Sequence, residues 1–357
     1  MPQELGIRVL RAASLRPAEL VRLLPSTLHT AAVHAAFPTI DAERSVSVHA
    51  SDLQYAPFAE ALWPALSRIV SFSRSVAETR ELMSPEAARA LGSQLGKLSC
   101  IRIIRLDRNL IGVDGIESLG PHLAHLTAIQ ELDLSDNWMG DDGVKSLGPH
   151  LAHLTSIQKL YLERNCIGNS GVRSLGPHLA RLTSIQELDL GRNDISDSGL
   201  QSLGPHLAHL TSIEGLALWD ICIFADGVKS LGPHLAHLTS MRRPYLGRCS
   251  FGDSGAKSLG PHLVNLTCIE ELDLSNTDIS DSGFKSLGPH LAHLRPIQVL
   301  VLSYNIITDD GAKSFAPHLA GLTDMKSLHI GGNPIYEDDC RALRAHLPAP
   351  ADQICFI

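Results

Sequence analysis

Two hydrophobic periods alternate along this chain in a fixed order. In the stretch LTAIQELDLSDNWMGDDGVKSLGPHLAH, Leu126 to His153, Leu132 and Leu134 alternate with Glu131 and Asp133. That is the two-residue period of a strand with one buried face. Val144, Leu147, Leu151 and Leu154 follow at helical spacing and form one apolar stripe. Between the two, Asp141 and Asp142 precede Gly143 and read as a helix N-cap. The pattern predicts strand, turn, helix.

The same phrase returns along most of the sequence. Pro121, Pro149, Pro177, Pro205, Pro233, Pro261, Pro289 and Pro317 follow one another at intervals of 28 residues. Nine units fit this register, from Leu98 to about Ala349. A single unit cannot bury its apolar faces alone, whereas stacked units share one core. Parallel strands stack about 4.8 Å apart and packed helices need about 8–10 Å, so the helical rim must be the longer one. The expected fold is an α/β solenoid: a right-handed horseshoe with a parallel β-sheet on the concave face and helices on the convex face.

The pattern LxxLxLxxN…G…L…L resembles leucine-rich repeats. The unit length and the helix are similar to the ribonuclease-inhibitor-like subclass, and the wording resembles the repeats of NOD-like receptors. No GxxxxGK[ST] occurs, so the ATPase domain of those receptors has no counterpart. The resemblance implies an asparagine ladder, Asn109, Asn137, Asn165, Asn193, Asn305 and Asn333, bonding turn backbone inside the coil. Ile221, Cys249 and Thr277 interrupt it, and Pro244 stands where a strand leucine belongs. Units five to seven are therefore expected to be the softest. The proline within each helix leads us to expect a kink or split after Leu147 and its equivalents.

Residues 1–97 lack the strict register and are expected to form an α-rich N-terminal cap with degenerate repeats. SVSVH (Ser45 to His49) and IVSFS (Ile69 to Ser73) read as strands, and APFAEALWPALSR between them as a helix. Residues 98–349 hold the nine repeats, with EDDCRALRAHL (Glu337 to Leu347) as the last helix. Residues 350–357 are expected to be a C-terminal capping tail.

Composition narrows the function. Hydrophobic residues make up 44% and aromatics only 4%, so the core is aliphatic. The net charge of −8 argues against a nucleic-acid footprint. No apolar run approaches the roughly 20 residues of a membrane span. The first residues lack a continuous apolar h-region, and seven cysteines without CxxC read as reduced thiols; the expected location is cytoplasmic. No GxSxG, HExxH or dinucleotide fingerprint stands in a supporting context. Neither catalysis nor a cofactor is expected. His pairs such as His150 and His153 supply two ligands per helix, too few for a metal site.

The units can also be compared with one another. Between the two strand leucines the series runs Arg105, Asp133, Tyr161, Asp189, Ala217, Tyr245, Asp273, Val301, His329. Tyr161, Arg164, Arg192, Trp219, Arg243, Tyr245 and Arg248 gather in the middle units, with Trp219 read as exposed. Tyr, Trp and Arg are enriched in binding hot spots. Acidic residues flank them: Glu131, Asp133, Glu187, Asp189, Glu271 and Asp273. The expected function is a non-enzymatic scaffold that binds a protein partner in the concave face. Two alternatives stand beside it. Leu15, Pro17, Glu19, Leu20, Leu23 and Leu24 loosely resemble the opening of an F-box, which implies a ubiquitin-ligase adapter through residues 15–37. The repeats also resemble Ran-type GTPase-activating proteins, with Arg108, Arg164, Arg192 and Arg248 on edge turns.

Overall fold

A computed structural model describes residues 101–336 throughout, together with 46–48, 69–72, 83, 85–96, 343 and 353–355. The F-box-like stretch at 15–37, the helix read at 56–68, and most of the last helix read at 337–347 lie outside the described residues.

Among the described residues, twelve strands form one parallel sheet in chain order. They are β1 (Val46–Val48), β2 (Ile69–Phe72), β3 (Ile103–Arg105), β4 (Glu131–Asp133), β5 (Lys159–Tyr161), β6 (Glu187–Asp189), β7 (Gly215–Ala217), β8 (Arg243–Tyr245), β9 (Glu271–Asp273), β10 (Val299–Val301), β11 (Ser327–His329) and β12 (Gln353–Cys355). Nine helices alternate with them: α1 (Pro85–Leu95), α2 (Gly112–Leu123), α3 (Gly140–Leu151), α4 (Asn169–Leu179), α5 (Asp197–Leu207), α6 (Ala225–Leu235), α7 (Gly252–Leu263), α8 (Asp281–Leu291) and α9 (Asp309–Leu319). Each crossover returns the chain parallel to its predecessor, as in Leu132↔Leu160 and Leu160↔Leu188. The result is an open α/β solenoid, with the sheet along the concave side and the helices along the convex side. The core between them is aliphatic: Leu132, Leu134, Val144, Leu147 and Leu151, with their equivalents in the other repeats, are fully buried.

Three polar or steric ladders hold successive repeats in register. The first is made by the asparagines. The Asn137 side-chain oxygen accepts from Asn109 N at 3.0 Å and Ile111 N at 3.3 Å. Its amide donates to Leu106 O at 2.7 Å and Leu134 O at 2.9 Å. Asn165, Asn193 and Asn305 repeat this pattern. At the interruptions the bonds are thinner. Thr277 Oγ1 donates to Leu274 O at 2.9 Å, Cys249 Sγ to Leu218 O at 3.3 Å, and Ile221 is simply buried. Pro244 has no N–H to give, and the β8–β9 ladder shrinks to the pair Tyr245↔Asp273.

The second ladder corrects the capping expectation. α3 begins at Gly140, and its N-cap Met139 makes no side-chain capping bond. Asp141 lies inside the first turn and serves the next repeat: it accepts from Gly168 N at 2.6 Å and Ser170 Oγ at 2.7 Å. Asp253 and Asp281 do the same for Ser280 and Thr308.

The third ladder explains the recurrent Gly-Pro-His. A Cβ added to Gly148 would stand 2.6 Å from His178 Cδ2, and the same notch joins Gly120 to His150 and Gly176 to His206. Each imidazole edge thus fills the space left by the glycine of the preceding helix. The expected split does not occur. α3 runs unbroken through Pro149, and Gly148 lacks the Cβ that a following proline would crowd.

Candidate functional site

The sheet face carries a notch of about 450 Å³ centred on β7. Its floor follows from small residues. β7 places Gly215 and Ala217 outward, where the neighbouring strands carry Glu187 and Asp189 on one side and Arg243 and Tyr245 on the other. Tyr161, Trp219, Gly247, Arg248, Asp273 and Ser275 complete the lining.

Glu187 is the hub of the notch wall. Tyr161 Oη donates to it at 2.6 Å, Lys159 Nζ approaches to 3.3 Å, and Arg243 Nη2 reaches it at 3.2 Å. Burial works against the Glu187 charge, but the Tyr161 hydrogen bond and the two cations outweigh it, and the carboxyl lies below its usual range. Burial, then the bond to Glu187, pushes the Tyr161 phenol far up. Tyr245 donates to Glu271 at 3.2 Å, and burial lifts it to about 12.

Asp189 behaves differently. Burial raises its carboxyl to about 6, against the opposing bond from Gly191 N at 2.8 Å, and the Glu163 and Asp133 charges add to the rise. Trp219 is half-buried, which corrects its reading as a freely exposed side chain. Arg192 lies 4.4 Å from its ring centroid, and a Cβ on Gly191 would meet its indole nitrogen at 2.5 Å. Arg192 in turn bonds Asp220 at 3.1 Å.

Of the seven residues singled out from the sequence, Tyr161, Trp219, Arg243, Tyr245 and Arg248 line the notch. Arg192 stacks on Trp219 from outside the lining, and Arg164 stands exposed on its turn away from it. The floor residues Gly215 and Ala217 are not among those seven, because hot-spot residue types are large and a notch floor is made by small ones. Trp138 is 61% exposed on the turn of its own repeat, outside the lining.

The turn arginines share an uncommon backbone. Arg108, Arg164, Arg192 and Arg248 have φ between 51° and 59°, as do Asp136 and Asp220 at 54°. The left-handed region costs a non-glycine residue about 1–2 kcal/mol. Only the ninth turn uses glycine there, Gly332, at 70°.

Residues 125–148, 153–176, 181–204, 265–288 and 293–316 match the model of the Leucine Rich repeat family. These segments are leucine-rich repeats. The stretch 205–264, which carries Gly215, Ala217, Trp219, Arg243, Tyr245 and Arg248, lies between the matched segments. The leucine-rich-repeat fold is also similar to solved structures. An internalin from Listeria monocytogenes is 19% identical, with 83% of each chain covered and a TM-score of 0.49. A leucine-rich-repeat protein of Leptospira interrogans is 14% identical, covering 93% of this chain and 92% of its own, with a TM-score of 0.42. Among curated proteins the sequence has no significant match. Among the described residues no cluster of three or more His, Cys, Asp or Glu could hold a metal ion, and no helix is long and apolar enough to cross a membrane.

Proposed function

We propose that this leucine-rich-repeat solenoid is a non-enzymatic recognition scaffold that binds a protein partner on its concave face, over repeats three to seven. The notch floored by Gly215 and Ala217 carries the reading. It concentrates Tyr161, Trp219, Arg243, Tyr245 and Arg248, residue types that dominate binding energies when they surround a desolvated pocket. Its walls are pre-organised by the Tyr161–Glu187 and Arg243–Glu187 bonds, which lowers the ordering cost of association.

The carboxylates and phenols of the notch are tied to one another or to backbone: Tyr161 to Glu187, Tyr245 to Glu271, Asp189 to Gly191 and Asp273 to Ser275. The repeats resemble the ribonuclease-inhibitor-like subclass in length and helix content, and we assign them there. We further assign residues 1–97 and 350–357 as terminal segments that close the repeat array, and the cytoplasm as the protein's compartment.

The test is affinity capture from cells that make the protein. Wild type is run beside a Trp219→Ala/Tyr245→Ala variant, and captured proteins are identified by mass spectrometry. The reading expects a partner that wild type retains and the variant loses. A partner retained equally by both contradicts it.

A further inference from the structure

The notch carries a charge pattern that deepens the proposed function and rests on it. Across successive strands, the outward row nearest the strand ends reads Asp133, Tyr161, Asp189, Ala217, Tyr245, Asp273. Acid and aromatic alternate, and Ala217 leaves the gap. The cations on the strands of this face are already engaged. Arg105 bonds Glu131 at 2.8 Å, while Lys159 and Arg243 both hold Glu187. Asp189 and Asp273 hold no cation: among the described residues neither forms an ion pair, each accepts a backbone N–H two residues ahead, from Gly191 and Ser275 at 2.8 Å, and the Trp219 side chain also bonds Asp189.

We infer that the notch receives an extended, basic segment of the partner protein, with two Lys or Arg side chains four residues apart seated against Asp189 and Asp273. The spacing fits. Asp189 and Asp273 are three strand intervals apart, roughly 14 Å. Residues i and i+4 of an extended chain point the same way and lie about 13 Å apart. The walls fit as well. Trp219 and Tyr245 offer aromatic faces that attract cations, and Trp219 already accepts the Arg192 guanidinium at 4.4 Å.

An acidic occupant fits worse. Arg248 is the one lining cation that forms no ion pair among the described residues, and it stands at the exposed rim. A carboxylate deeper in the notch would sit among Glu187, Asp189 and Asp273. Burial already disfavours the Asp189 charge, and an incoming cation relieves that penalty. The chain's net charge of −8 favours the approach of a basic segment.

The probe is an acetylated, amidated Gly/Ser peptide with two arginines four residues apart, beside the same peptide with glutamates at those positions. Binding to the full chain is read by calorimetry and by the Trp219 indole N–H resonance. The arginine peptide is expected to bind and move that resonance. Its affinity is expected to fall at least tenfold in Asp189→Asn/Asp273→Asn. Asparagine keeps the oxygens that accept from Gly191 and Ser275, so the variant retains its turns. Preference for the glutamate peptide, binding of neither peptide, or arginine binding that the double variant leaves unchanged would each overturn the inference. Failure of the broader reading is recognised separately. A Gly215→Gln variant that fills the floor and still captures the same cellular partner contradicts the recognition face itself. Loss of that partner while the arginine peptide fails leaves the face standing and removes only the basic occupant.

Discussion

Arg243 reaches over an entire strand to bond Glu187, Nη2 to Oε1 at 3.2 Å, across 56 residues of sequence. It can do so because the strand between them presents Gly215 at that level. One missing side chain thus creates both the notch floor and the bridge along its wall. A Cβ at Gly215 would meet Glu187 Cγ at 3.5 Å, an ordinary contact. Gly215→Ala is therefore expected to fold normally, with stability unchanged or raised by up to about 1 kcal/mol, since glycine within a strand carries an entropic penalty of that order. Gly215→Gln is expected to fold as well and to displace Arg243 from Glu187. Urea unfolding followed by circular dichroism checks both; a collapse of either variant contradicts the open floor.

The asparagine ladder sets a graded expectation. Asn165 accepts from the preceding repeat and donates into it through buried bonds, so Asn165→Ala strands several backbone groups at once. Each such group costs about 1–3 kcal/mol when left unpaired. Thr277→Val removes only the Oγ1 bonds to Leu274 and Asn305, and is expected to cost about 1 kcal/mol. Amide hydrogen exchange measures both locally, without assuming that a long repeat array unfolds in one step. Equal effects at the two positions would contradict the ladder.

The histidine notch makes a test by sign. Alanine is normally the better helix former by about 1 kcal/mol, yet Gly148→Ala is expected to destabilise, because its Cβ would press on His178 at 2.6 Å. Combining it with His178→Ala is expected to recover much of the loss. A stabilising Gly148→Ala in thermal unfolding contradicts the interlock.

Acidity acts on these histidines in a definite direction. Burial lowers His150, His178, His206, His234 and His262 below their usual value. Between the folded and unfolded values the unfolded chain binds more protons, so stability rises with pH there. The contribution is present above about 6.5 and is lost as pH falls through the lowered values. Asp189 has the opposite sign: its native carboxyl, at about 6, holds a proton that the unfolded chain releases near 4, so its contribution weakens as pH rises from about 4 to 6. The protein is expected to melt lower at pH 5.5 than at pH 7.5, and Asp189→Asn to be at least as stable as wild type at pH 7.5. Scanning calorimetry at the two pH values decides both points.

The periodic features were legible in the sequence. Leu132 and Leu134 announced the strand and Val144 to Leu154 the helix, because each signal lies within one unit and recurs; the asparagine ladder followed from the resemblance to leucine-rich repeats. The other contacts between units were not. Asp141 looked like a cap for its own helix until the register showed Gly168 and Ser170 beside it. The glycine of Gly-Pro-His carried no signal of its own, because its partner His178 lies 30 residues away in the next helix. Trp219 read as exposed because nothing local reveals that Arg192 and Gly191 enclose it. The notch escaped for the same reason: Gly215 and Ala217 gain meaning only beside Glu187 and Tyr245.

Hydrogen–deuterium exchange of the protein with and without its captured partner tests the central claim most directly. The account expects new protection at residues 215–219 and 243–248, with the outer faces of α4 to α7 unchanged. Protection confined to those helices, with the strands and turns of repeats three to seven exchanging as before, would contradict a recognition face in the concavity.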